Sequence, residues 1–147
     1  SGIHALWETQ IPEAFQHDFA LQPRKKALKC NYIDDVSIHI WERTLESYAA
    51  SPFVFEREME VRSQWDGGAI DAFIPRGRTR QLMRTPEFVT AYHKALNGQV
   101  EERMLKSIHS VSACWYSAWV DAGQPELPST TISSKPIWKK VLDWLMQ

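Results

Sequence analysis

Between Val100 and Ala122 the chain repeats one spacing for about six turns. Val100, Met104, Ile108, Val111, Trp115, Ala118, Trp119 and Ala122 recur at the helical period. A stretch this long with this period folds as an amphipathic helix and buries its stripe against the rest of the chain. Its end is also written in the sequence. Gly123-Gln124-Pro125 puts glycine where a helix C-terminus favours a left-handed residue. The expectation is one long central buried helix.

The segments before it carry similar signals. Thr85-Pro86-Glu87 is a helix start with proline at the first helical position, after which Phe88, Tyr92 and Leu96 face one way. Asn97-Gly98 then marks a kink or a brief break. Residues 34–50 read as an amphipathic helix with Asp34 as N-cap and Val36, Ile40, Trp41, Leu45 and Tyr48 as the buried stripe. Ser51-Pro52 looks like the start of a second helix over 52–65, with Phe55, Met59 and Arg62 on one side and Glu56, Glu58 and Glu60 mostly outside. Asp66-Gly67-Gly68 stops it. So short a turn predicts that these two helices pack as an antiparallel hairpin. Residues 69–84 are less regular. Pro136 opens a last short helix with Ile137, Trp138, Val141, Leu142 and Leu145 apolar. No segment alternates with period two, so the predicted class is all-α, a multi-helical bundle.

Composition excludes several classes of function. At 147 residues the chain is long enough for one domain with a core. A formal net charge of −1 gives no global field for nucleic acid or anionic membrane, so any polyanion must bind locally. No apolar run reaches the length of a membrane span. Seven tryptophans are many for this length, and indole N–H groups are costly to bury unpaired, so several are expected along a groove or an interface. Cys30 and Cys114 leave pairing open. The chain begins Ser-Gly rather than Met, as a processed, tagged or truncated product does.

Chemistry concentrates near the N-terminus, in His4-Ala5-Leu6-Trp7-Glu8. On a helix His4 and Glu8 stand at i and i+4, about 6 Å apart at Cβ, so both can reach one divalent cation. Imidazole nitrogen with carboxylate oxygen suits zinc. The bland alternative is a helix start with Trp7 packed inward and two solvated polar residues, and two ligands fall short of the three or four that zinc takes. A second candidate is Pro75-Arg76-Gly77-Arg78-Thr79-Arg80, in which Arg76, Arg78 and Arg80 form either a phosphate-gripping loop or a solvated basic one. Arg24-Lys25-Lys26 reads as a solvated basic run.

Gly2-Ile3-His4-Ala5-Leu6-Trp7-Glu8 resembles the G-x-H-x-x-W-D/E box of the zinc-dependent single-strand-specific nucleases (the S-one/P-one nucleases) and their phospholipase C relatives, most closely a bacterial branch. Ile11-Pro12-Glu13, the run 92–101 and the run 115–125 are similar to that branch as well, so the resemblance spans residues 2–127. Residues 1–127 are then the C-terminal portion of such a helical domain, and 128–147 a loop and short terminal helix.

The resemblance implies an all-helical fold around a cleft with up to three zinc ions, hydrolysis of phosphodiester or phosphomonoester bonds, and export to the periplasm or outside the cell. It makes His4 and Glu8 zinc ligands, with glutamate standing where aspartate is also found. The family's other ligands lie upstream of the box, so this chain resembles the C-terminal half, with at most one partial zinc site and little or no activity alone. Nucleic acid and phospholipid head groups are both implied substrates, and Arg76, Arg78 and Arg80 are candidates to contact phosphate. Half a core leaves an apolar face uncovered. That predicts self-association or pairing with the missing N-terminal half. The alternative is a non-catalytic helical domain with a vestigial box and a tryptophan-lined surface that binds protein or lipid.

Overall fold

The computed structural model describes residues 2–21 and 31–127. Cys30, the basic run at 24–26 and the expected terminal helix in 128–147 lie outside the described residues.

The N-terminal box is one helical rod of three pieces: α1 (Ile3–Ala5), a π-helical turn π1 (Leu6–Gln10) and α2 (Ile11–Phe15). In π1 the Ile11 N–H donates to the Leu6 carbonyl, one residue further back than in an α-helix. Pro12 sits in the first turn of α2, where its missing N–H costs least. Next comes α3 (Val36–Ser63), about 42 Å long. Asp35, not Asp34, is its N-cap, and its carboxylate accepts from the Ile38 N–H at 3.0 Å.

The expected break at Ser51-Pro52 does not occur, so the predicted hairpin of two helices is replaced by one continuous rod. Proline at 52 removes the N–H that would bond the Tyr48 carbonyl. The Ser51 hydroxyl takes over that role, donating to the same carbonyl at 2.7 Å. The sequence signal for a helix start is local, and here one neighbouring hydroxyl offsets it.

A β-hairpin follows, so the fold is mostly helical, roughly as the all-α expectation has it, with one small two-stranded sheet added. Strands β1 (Asp71–Arg76) and β2 (Thr79–Arg84) pair antiparallel from Asp71↔Arg84 to Arg76↔Thr79. The two-residue turn places Gly77 at φ +59, with Arg78 outside the positive-φ region, as a II′ turn requires. Pro75 hides this strand from pattern reading. It is tolerated because both strands of a two-stranded sheet are edges.

Helices α4 (Pro86–Ala95) and α5 (Gln99–Asp121) are divided by Asn97 and Gly98, both at positive φ. The break expected at that dipeptide is therefore complete. Thr85 precedes α4 in extended conformation, yet its hydroxyl donates to the Ala69 carbonyl rather than capping the helix. Gly123, at φ +81, ends α5 as expected.

The core lies around α4, not α5. Leu6, Ile11, Phe19, Phe88, Val89, Tyr92, Leu96 and Val100 form one buried cluster, with Trp7, Phe15, Trp65 and Met104 packed on its rim. Phe88 is central. Trp65 meets its ring edge-on at 5.3 Å, and the guanidinium groups of Arg62 and Arg84 lie 5.7 and 5.9 Å from its centroid. Those cations explain why Glu58, expected outside, is buried. It pairs with Arg62 and with Arg84, which in turn bonds Asp71 on the hairpin. Gln10 ties the rod to β2 by donating to the Arg84 carbonyl at 3.0 Å.

Two expected stripes stay uncovered. Val36, Ile40, Trp41, Leu45 and Tyr48 on α3 are exposed, as are Phe55 and Met59. On α5 only the first residue of the repeat, Val100, is buried, while Val111 and Trp115 are exposed. Amphipathic period and helix formation agree here, but burial needs a partner, and none of the described elements covers these faces.

Candidate functional site: a groove between the N-terminal rod, α3 and α5

Trp7 aims the rod. Its indole N–H donates to Gln99 Oε1 at 3.0 Å, fixing π1 on the first turn of α5. Leu6 is buried beneath it. With Leu6 inward, His4 and Glu8 turn outward together, His4 Nε2 standing 3.2 Å from Glu8 Oε2. Both line a cavity of about 310 Å³ with Trp7, Ser47, Phe55 and Arg103.

Zinc binds histidine nitrogen and carboxylate oxygen at about 2.0–2.2 Å, which sets tetrahedral donors about 3.4 Å apart. The observed separation therefore fits two corners of such a site. Among the described residues no third histidine, cysteine, aspartate or glutamate joins this pair. The residues present fit a metal as a chelating edge that needs donors from elsewhere to close it.

The expected arginine loop is dispersed by the hairpin. Arg76 forms a two-pronged ion pair with Glu13 on α2 (the Nη1···Oε1 contact is 2.7 Å), and Glu13 holds it in the charged form. Arg80 donates to the Phe73 carbonyl at 3.1 Å, and Arg78 is exposed at the turn. None of the three lines the cavity of His4 and Glu8. The physical reason is the turn between the strands: Arg78 sits in it, and Arg80 pairs across from Pro75 rather than Arg76, so Arg76 and Arg80 fall on opposite faces of the hairpin.

The cations that do reach this groove were not singled out by sequence. Arg43 and Glu46 lie on α3; Glu102, Arg103 and Lys106 lie on α5. Glu46 receives all three cations: Arg43 at 2.8 Å, Arg103 at 3.1 Å, and Lys106 in close contact. Lys106 also bonds Glu102 at 2.7 Å. The Lys106 hydrogen bond, with Arg103 and Arg43 nearby, holds the Glu46 carboxyl below its ordinary range. Lys106 is held above its own by hydrogen bonds to Glu102 and Glu46. His39 faces Ser110 at 3.1 Å beyond them. Only the helical phase of α5 against α3 gathers these residues, and no linear motif encodes that phase.

Five tryptophans fall among the described residues, and none is fully buried. The indoles of Trp7, Trp65 and Trp119 donate to Gln99, Gly68 and Pro125. Trp41 and Trp115 stand on the open faces. Of the indoles expected along a groove or an interface, Trp7 lines the groove, whereas Trp65 packs against Phe88 at the rim of the core.

Comparison of the chain with family models, with curated proteins and with solved structures finds no match. Among the described residues no helix is long and apolar enough to cross a membrane.

Proposed function

We propose that this chain is the C-terminal portion of a zinc-dependent phosphoesterase resembling the single-strand-specific nuclease and phospholipase C superfamily, carrying one edge of its metal site. The observation that supports this most is the His4–Glu8 pair, 3.2 Å apart at the mouth of a cavity. An ion bound there supplies an acidified water and charge neutralisation at phosphorus. The chain's own part is to hold that ion with His4 and Glu8, to fix their direction through Trp7 and Gln99, and to set cationic side chains alongside.

The remaining ligands come from the segment upstream of the box. The same segment covers the open stripes of α3 and α5. In isolation the chain holds zinc weakly, turns over little substrate and self-associates through those stripes. Nucleic acid and phospholipid head groups are both compatible substrates, and the reading includes export to the periplasm or outside the cell.

A second reading has its own observation. Trp41 and Trp115, 63 % and 77 % exposed, suit a helical domain that binds protein or lipid and has no metal chemistry. Elemental analysis for zinc separates the two, run on this chain and on one extended upstream. The metal reading expects two or three zinc ions in the longer protein and at most one here. It also expects His4→Ala to abolish zinc binding here while changing stability by less than about 0.5 kcal/mol, because the side chain is exposed. Equal zinc affinity in wild type and variant would remove the site assignment.

A further inference from the structure

We propose that Arg43, Arg103 and Lys106 form a binding site for a phosphate oxyanion in the groove beside the His4–Glu8 pair. The cavity concerned, about 560 Å³, is lined by these three cations together with Trp7, Glu8 and Glu46. Arg103 lines this cavity and also that of His4 and Glu8, so the two are one continuous groove with Arg103 at the junction.

The clustering of cations favours an anion. Arg43, Arg103 and Lys106 converge on one carboxylate, Glu46, while Glu102 pairs with Lys106 and Glu8, on the same cavity wall, pairs with His4. Glu46 sits between the cations and holds them within reach of one another. A guanidinium offers five N–H donors in a fixed fork. The contacts of Arg103 to Glu46 use Nη1 on the carboxylate and Nη2 on the main-chain carbonyl, at 3.1 and 3.5 Å. A tetrahedral oxyanion presents several acceptors at once, which suits two guanidinium forks and an ammonium better than a planar carboxylate does. The Arg103 side chain is 18 % exposed, so its charge is screened less than that of a free surface arginine. As a substrate subsite this site rests on the phosphoesterase reading, but oxyanion binding itself does not.

The test is titration of the metal-free, full 147-residue chain at low salt with inorganic phosphate, followed by calorimetry and by phosphorus NMR. Wild type should bind saturably. Arg103→Met should weaken binding at least tenfold, Arg103→Lys should weaken it less, and Lys94→Met, at an exposed position that lines neither cavity, should leave it unchanged. Should Arg103→Met lose its helical circular dichroism, Lys106→Met replaces it with the same expectation. No saturable binding by wild type, or equal binding by wild type and the charge-removing variant, would overturn the proposal. Glycerophosphocholine and a dinucleoside monophosphate serve as further ligands. Binding of either, weakened by the same variant, extends the site to phosphodiesters; binding of inorganic phosphate alone supports a site for free phosphate or a monoester. Phosphate binding that persists in a protein without zinc affinity would sink the metal reading and leave this one standing.

Discussion

Val100 and Trp115 belong to the same apolar repeat on the same helix, about four turns apart. Val100 is 1 % exposed and Trp115 77 %. The difference lies in what each end of α5 meets. Its first turn packs against the knot made by π1, α2 and α4, where Leu6, Ile11, Phe88, Tyr92 and Leu96 close on one another. Further along, α5 meets α3 through polar side chains, Arg103 and Lys106 with Glu46 and Ser110 with His39, and Ser117 Oγ accepts from the Ile33 N–H, just ahead of α3, at 2.8 Å. Long polar arms hold two helices at a distance and leave grooves between them. The knot carries the stability, and the open arms carry the groove and the exposed apolar faces.

The contrast predicts unequal responses to mutation. Phe88→Ala, at the centre of the knot, should cost about 3–5 kcal/mol, by loss of burial and by the cavity left under Arg62, Arg84 and Trp65. Urea denaturation followed by tryptophan fluorescence measures it, and a cost below about 1 kcal/mol would erase the distinction between knot and arms.

Acid should act on the knot before it acts on the arms. His93 stacks on Phe15 at 4.2 Å and lies 5.7 Å from Phe19, with Nδ1 buried and unbonded. Burial pushes its pKa below the usual histidine value, and Glu101 and Asp18 oppose that only in part. The folded state therefore binds this proton less readily than the unfolded chain does. Its contribution is fully present above the unfolded value, about 6.5, and is lost as pH falls toward the lower folded value. Glu46 and Glu102, whose pKa values are lowered by Lys106, respond only below the ordinary carboxylate range. Between pH 7.5 and 5.5 the melting temperature should fall for wild type and fall less for His93→Phe. Equal falls would remove His93 from the acid response.

The smallest effect is expected on the arms. Trp41→Ser with Trp115→Ser should change monomer stability by less than about 0.5 kcal/mol each, since both side chains are exposed. The same pair of changes should lower self-association measured by sedimentation. Unchanged association would mean that the open stripes are not the sticky surface.

Much of the local structure was legible in the sequence. The start at Pro86, the break at Asn97-Gly98 and the stop at Gly123 stand where the residues place them, because each depends on φ preferences within a few residues. The pairing of His4 with Glu8 was legible for the same reason: one helical turn sets it. The continuity of α3 was not, since Pro52 reads as a helix start and the Ser51 hydroxyl bonds the carbonyl that it leaves unpaired. Nor was the hairpin, whose Pro75 argues against a strand except at an edge.

What only tertiary structure decided is which apolar stripe becomes core and which cations share a groove. A stripe on α3 or α5 has the same period whether or not anything covers it, so the sequence marks a face as apolar without naming its partner. Arg43, Glu46, Arg103 and Lys106 are brought together by the relative phase of two helices far apart along the chain. The expected arginine trio, close in sequence, is separated by the two-residue turn, whose register sets Arg80 opposite Pro75 and so on the other face from Arg76. Backbone preferences act over one turn of chain, whereas burial and charge clustering depend on contacts between distant segments.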